Sequence, residues 1–289
     1  MKYEGTIYRP PSEARSLLIQ VTIGCSHNKC AFCIMYRDVN FRIKPLSEVK
    51  KELEEASLLY KGHIRKIFLC DGNALVLKTE HLLEILGYIK ELFPGCQSVG
   101  IYAGPADVRK KNTAELKALH EAGLTIAYIG IESGSDKVLT LVNKGQTSQD
   151  MIDAANIIRP SGIKTSIMAI SGLGGREHSK EHAIETARVL SAMNPDYVGL
   201  LSLMIIEGTE LYESVKNGEF KVLTAEEVAQ EMLLLVEHLE LDNCFFSSAH
   251  ASNYITLKGN MPQDKHRMIS EIKFYLDNEI YKSEAYRGL

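Results

Sequence analysis

No stretch of the chain reaches the roughly 18 uninterrupted apolar residues that a membrane-spanning helix requires. The opening residues, 1–16, likewise lack an apolar core of signal-peptide length. The expectation is a cytoplasmic protein with no membrane partner. An excess of charge of one sign is also missing: 33 Lys and Arg stand against 37 Asp and Glu, a net charge of −4, and no basic tract stands out. A long nucleic acid is therefore not an expected partner, because its phosphates ask for a basic face; a small basic pocket for one phosphate remains open. Low-complexity stretches and linkers are absent. Six cysteines in 289 residues are too few for a disulfide scaffold.

What is present is an alternation of short apolar runs with longer amphipathic segments, the pattern of βα units around a parallel sheet. Strands are expected at 17–23, 66–71, 98–103, 125–132, 164–170 and 197–204, with a weaker one at 243–247. Helices are expected at 47–60, opened by a Ser47 cap, at 79–92, stopped by Pro94 and Gly95, and at 113–122, stopped by Gly123. Residues 148–158, 178–193, 225–241 and 263–277 continue the series. About six repeats are too few to close an eight-stranded barrel. The expected fold class is α/β, a partial (β/α)6 barrel over residues 1–246, with residues 247–289 as a C-terminal cover on the same domain.

The chemistry concentrates in Gly24-Cys25-Ser26-His27-Asn28-Lys29-Cys30-Ala31-Phe32-Cys33, directly after the first expected strand. Three thiolates on one loop can ligate three irons of a [4Fe–4S] cluster and leave the fourth iron open for a chelating cofactor. A structural zinc normally takes four protein ligands, and no second Cys-x2-Cys or zinc-ribbon His pair follows. His27 is confined to the same short loop. Zinc and a chance crowding of packing thiols stand as the alternatives at this point. Cys70, Cys96 and Cys244 are scattered singly and read as packing thiols, with no auxiliary cluster signature. Arg37, Arg42 and Lys44 read as a solvated face.

The loop and much of the chain resemble the radical S-adenosylmethionine superfamily. The usual spacing there is Cys-x3-Cys-x2-Cys; this chain has Cys-x4-Cys-x2-Cys, similar to minority variants. The resemblance implies a [4Fe–4S] cluster on Cys25, Cys30 and Cys33 and S-adenosylmethionine on its open iron. It further implies that Phe32 touches adenine and that Asp71, Gly72 and Asn73 occupy the segment receiving the methionine amino group. Glu132 would bind the ribose or methionine part, Ser171 stands in the glycine-containing motif near adenine, and Met204 lies where strand backbone pairs with adenine. Tyr102, Arg109, His250, Asn253 and Tyr254 are the candidates for substrate contact, with Asp107 and Glu207 as candidate catalytic carboxylates. The implied partners are a small-molecule substrate and an electron donor such as flavodoxin or ferredoxin. Among family members, a compact chain with this loop and no auxiliary cluster is similar to queuine lyases, which implies queuosine 5′-phosphate as substrate. Other small-molecule isomerases, lyases or dehydrogenases remain open, as does a non-catalytic iron–sulfur carrier.

Overall fold

The computed structural model describes residues 3–60 and 63–288. The fold is α/β, with a principal sheet of eight strands and a two-stranded ribbon. The strand–helix alternation is that of the expected partial barrel. The chain divides into two compact units.

The first unit runs to Asn28, resumes over Met35–Ile129 and includes Asn156–Thr165. Its elements are β1 (Leu17–Gln20), β2 (Thr22–Ile23), β3 (Arg42–Ile43), α1 (Leu46–Tyr60), β4 (Lys66–Cys70), α2 (Thr79–Leu92), β5 (Ser98–Ala103), α3 (Pro105–Arg109), α4 (Thr113–Glu121) and β6 (Leu124–Glu132), whose last three residues belong to the second unit. The strands pair in parallel in the order β1, β4, β5, β6, with Leu17 opposite Ile67, Ile67 opposite Val99 and Gly100 opposite Ile126. Ile19, Ile67, Phe68, Leu69 and Ile101 are fully buried, the continuous apolar run of a strand covered on both faces. On α2, the buried Leu82, Ile85, Leu86 and Ile89 follow the spacing of one helical face.

Three sequence expectations shift here. The first expected strand, 17–23, is two: after Gln20 the chain leaves β4, and Thr22 and Ile23 pair antiparallel with Ile43 and Arg42. This ribbon brackets the cysteine loop in sequence. Ser47 is not a cap, because α1 begins at Leu46 directly after Pro45. Lys44 is not a solvated residue; it is 4% exposed, and its Nζ lies 2.6 Å from Glu52 Oε1. The α4 cap is Asn112, whose side chain accepts from Glu115 N while Glu115 returns a bond to Asn112 N.

The second unit holds Lys29–Ile34, Gly130–Ala155 and the chain from Ser166 onward. It contains α5 (Asp136–Leu141), α6 (Ser148–Ile158, whose last three residues fall in the first unit), β7 (Lys164–Ser171, with its first two there), α7 (Gly175–Met193), β8 (Tyr197–Ser202), α8 (Glu210–Lys216), α9 (Ala225–His238), β9 (Cys244–Ser247), β10 (Lys258–Met261) and α10 (Lys265–Asp277). Strands β7, β8 and β9 are parallel neighbours, and β10 returns antiparallel on β9. Val189, Leu190, Met232, Leu235 and Val236 are buried on α7 and α9, which pack together. Of residues 247–289, Ile255, Leu257, Met261, Met268 and Ile272 are buried, and α10 packs on α9. No helix among the described residues is long and apolar enough to cross a membrane.

Candidate active site

The cysteine loop departs from the ribbon through Gly24, whose φ of +78° is in the left-handed region and whose missing Cβ would stand 3.2 Å from Val39 Cγ1. Asn28, at φ +47°, donates from Nδ2 to Tyr36 O at 2.7 Å. In the second unit, Ala31 N donates to Val142 O at 2.8 Å, and Leu211 N donates to Ala31 O at 2.9 Å. Phe32, half-buried beside them, packs on the cluster of Val138, Val142, Leu173, Leu203, Leu211 and Phe220. Cys25, Cys30 and Cys33 form no disulfide and are half-buried. Among the described residues, no three His, Cys, Asp or Glu side chains are grouped as they would be around one metal ion. A [4Fe–4S] cluster asks for a different donor set, one thiolate per iron, and three cysteines on one loop fit it. Cys70 and Cys244 are buried, and Cys96 is half-buried. Burial pushes the Cys70 thiol well up and that of Cys244 to about 12, so neither readily forms a ligating thiolate.

At the end of β4, Asp71 is 1% exposed. Its Oδ2 accepts from Gln20 Nε2 at 3.0 Å and from Gly24 N at 3.2 Å, and its Oδ1 accepts from Tyr36 OH at 3.4 Å. Burial raises its carboxyl above the ordinary value, against the pull of those three donors. The cysteine loop is thus anchored one residue before Cys25 by a buried acid. Gly72 is required by contact: a Cβ there would sit 2.9 Å from Cys25 Cβ and 2.9 Å from Tyr36 Cε2. Asn73 Nδ2 donates to Ser26 Oγ at 2.9 Å and also to Asp107 Oδ2, while its buried Oδ1 has no hydrogen-bond partner. Asp107 is 5% exposed and pairs with Lys110 Nζ at 3.1 Å. An orphaned buried acceptor beside a carboxylate suits the ammonium of an amino acid. Tyr102 stacks edge-on against Phe68 at 4.9 Å, and burial pushes its phenol up. Arg109 is exposed at the end of α3.

In the second unit, Glu132 ends β6 at φ +65°, and its Oε1 accepts from Lys144 Nζ at 2.9 Å, both side chains being largely buried. A Cβ on Gly130 would meet the same Oε1 at 2.1 Å, so that position must stay bare for the carboxylate to fold back. Ser171 ends β7 with a buried hydroxyl that has no partner. Met204 is half-buried after β8, and Glu207 is exposed on the following loop. Asn253 is fully buried and donates to Leu200 O at 2.7 Å and Ser248 O at 2.6 Å, while accepting from Ser202 Oγ at 2.7 Å. His250 is half-buried, with burial lowering its pKa, and its Nδ1 lies 2.9 Å from Ser252 Oγ. Tyr254 is buried under the Arg287 guanidinium, 3.8 Å from its ring centroid, and burial raises its phenol to about 12. Lys144, Gln20 and Tyr36 went unnoticed in the sequence; none sits in a motif.

A model of the radical SAM superfamily matches residues 19–190, more than half of the chain. An uncharacterized protein of Methanocaldococcus jannaschii is 26% identical over 253 residues, covering 82% of this chain and 74% of that one. The tRNA uridine(34) acetyltransferase of Methanocaldococcus infernus is 33% identical over 118 residues, 40% of this chain and 22% of the relative. Among solved structures, coproporphyrinogen III oxidase from Escherichia coli, a radical SAM enzyme, superposes with a TM-score of 0.54 at 17% identity, over 77% of this chain and 52% of that one. This chain therefore spans only a part of the latter two proteins. The fold, the cysteine loop and the family match agree: the chain belongs to the radical S-adenosylmethionine superfamily, whose enzymes use a [4Fe–4S] cluster and S-adenosylmethionine.

Proposed function

We propose that this protein is a cytoplasmic enzyme that cleaves S-adenosylmethionine reductively and directs the resulting radical at one hydrogen of a small molecule, with queuosine 5′-phosphate as the substrate and free queuine as a product. The observation that carries the radical chemistry is the Cys25, Cys30 and Cys33 loop, three cysteines outside any disulfide on one short segment, a set that would leave the fourth iron to a cofactor. Cys25, Cys30 and Cys33 would hold the cluster, which when bound would supply the one electron for reductive cleavage of the sulfonium, with methionine as the leaving group. The chain's own residues hold and screen. Asn73 Oδ1, unpartnered and buried, accepts from the cofactor's ammonium, with Asp107 behind it adding negative charge. Gly72 keeps the backbone bare beside Cys25. Glu132 and Lys144 offer one anion and one cation to the ribose and methionine groups, and the Ser171 hydroxyl supplies a further bond. Phe32 and Met204 give adenine an apolar surface, and exclusion of water protects the radical from stray donors.

The substrate reading rests on the resemblance of the Cys-x4-Cys-x2-Cys loop to that of queuine lyases and on the lack of an auxiliary cluster signature in the given sequence. Abstraction of a ribose hydrogen weakens the bond to the base, Arg109 suits the 5′-phosphate, and Glu207 suits the amine of the base. The remaining candidates for substrate contact are Tyr102, His250, Asn253 and Tyr254. Reduced, cluster-loaded enzyme is incubated with S-adenosylmethionine and queuosine 5′-phosphate, and free queuine is sought by mass spectrometry. Queuine in step with 5′-deoxyadenosine supports the reading. Its absence, with 5′-deoxyadenosine still formed, removes this substrate and leaves a radical isomerase, lyase or dehydrogenase acting on another small metabolite.

A further inference from the structure

Helices α7 and α9 meet through apolar side chains along most of their length, with Ala183, Ala187, Leu190, Met232 and Leu235 all buried. At one level the pattern breaks. His182 and Glu231 face each other with side chains 1% exposed, His182 Nε2 lying 3.8 Å from Glu231 Oε1. Burying a carboxylate and an imidazole where alanine and leucine would pack is costly unless every polar atom is bonded. Here they are bonded, to two backbone groups at the end of β7 and to two serine hydroxyls. Glu231 Oε1 accepts from Gly172 N at 2.6 Å, and Oε2 accepts from Ser179 Oγ at 2.5 Å. His182 Nε2 lies 3.0 Å from Ile170 O, and a carbonyl can only accept, so Nε2 carries the proton. In the neutral imidazole Nδ1 is then the acceptor for Ser133 Oγ at 2.8 Å, with Thr186 Oγ1 also 3.4 Å away. Ser133 Oγ in turn accepts from Ser135 N at 3.0 Å.

The bonded groups lie at two strand ends. Ser133 follows Glu132 at the end of β6; Ile170 and Gly172 flank Ser171 at the end of β7. We infer that His182 and Glu231 are positioning residues that hold these two strand ends in register with each other, so that Glu132 and Ser171 are presented together to one ligand. The inference rests on the reading of Glu132 and Ser171 as cofactor contacts. Neither His182 nor Glu231 touches the ligand; each acts through a turn. Gly172 supports the same design: at φ +82° its N–H points to the carboxylate, a conformation that a side chain would strain.

Two conservative substitutions separate the two links. His182→Asn keeps an oxygen near the Nδ1 position to accept from Ser133 and loses the bond to Ile170. His182→Gln keeps a donor for Ile170 and loses the acceptor for Ser133. Isothermal titration of S-adenosylmethionine into cluster-loaded protein is expected to show Kd raised about three- to tenfold in each, the equivalent of one neutral hydrogen bond. Iron content stays unchanged, and the KM for S-adenosylmethionine rises while kcat at saturation holds. Ser191→Ala, which removes the hydrogen bonds to Ala187 O and from Glu240 N at the far end of α7, is the control and leaves Kd unchanged. Glu132→Gln, measured alongside, is expected to raise Kd. Normal binding by both His182 variants while Glu132→Gln binds weakly overturns the positioning role alone; normal binding by Glu132→Gln as well overturns the cofactor reading, and the inference with it. Independently of any substitution, the ¹⁵N shifts of His182 are expected to report a protonated Nε2 and a bare Nδ1, and the opposite tautomer would refute the hydrogen-bond chain.

Discussion

The buried acid behind the cysteine loop offers a sharp perturbation. Asp71 Oδ2 serves two donors, Gln20 Nε2 and Gly24 N, and Oδ1 serves the Tyr36 hydroxyl. In Asp71→Ala all three lose their acceptor. Gln20 Nε2 keeps a bond to Glu4 O at 3.0 Å and Tyr36 can turn its hydroxyl, so the loss falls mainly on the Gly24 amide. A buried N–H without a partner costs about 1–3 kcal/mol, and the cavity adds to that, so a loss of about 2–4 kcal/mol is expected. Asp71→Asn has the same shape. Its oxygen can take the Oδ2 place for Gln20 and Gly24, while its amide donates to the Tyr36 oxygen, so the expected loss is within about 1 kcal/mol. The pH dependence has a definite sign. Burial raises the Asp71 carboxyl above its ordinary 3.8, so between that value and the raised one the folded state holds more proton than the unfolded state. Stability then falls as pH rises through that window. The Asn variant has no such proton and gains on the parent from pH 4 upward. Urea denaturation of the metal-free proteins between pH 4 and 7 measures all three, and iron content after reconstitution reports the loop, with Asp71→Ala expected to load poorly. Equal losses for Ala and Asn, or full iron in Asp71→Ala, would refute the assignment of Asp71 as the anchor of the loop.

Cys25→Ala, Cys30→Ala and Cys33→Ala are each expected to abolish iron binding, whereas Cys70→Ala, Cys96→Ala and Cys244→Ala retain it; iron assay and absorption near ~400 nm decide. Gly134→Ala places a Cβ 2.2 Å from Glu185 O, a backbone atom that cannot give way, and should destabilise by about 3 kcal/mol in urea. Arg287 donates to Leu203 O at 3.0 Å and Ser252 O at 2.6 Å from a side chain 5% exposed, so Arg287→Ala should lose about 2–3 kcal/mol. Arg287→Lys should recover less than half of that, because a single ammonium lacks the planar fork that spans both carbonyls.

The strands and long helices were legible because buried parallel strands are written as apolar runs, as in Ile67–Phe68–Leu69, and α2 repeats its apolar face at regular spacing. The cysteine loop was legible because three thiols within nine residues have few structural uses. Short elements were not: β2 and β3 have two residues each, and α3 and α5 have five and six, too few to show a period. Supporting residues were hidden for another reason. Glu231 meets Gly172 across 59 positions, and His182 meets Ser133 across 49; in sequence both read as polar positions on amphipathic helices. Asp71 and Asn73 were visible as a pair, but only the structure separates them, one carboxylate engaged by three donors and one amide oxygen with none.

The central claim is that the three-cysteine loop supports reductive cleavage of S-adenosylmethionine. Anaerobically reconstituted protein is mixed with dithionite and S-adenosylmethionine, and 5′-deoxyadenosine is measured by chromatography, with Cys30→Ala run in parallel. Formation of 5′-deoxyadenosine and methionine by the parent and none by the variant is the expected result. A brown, iron-loaded parent that forms no 5′-deoxyadenosine would contradict the account and leave an iron–sulfur carrier in its place.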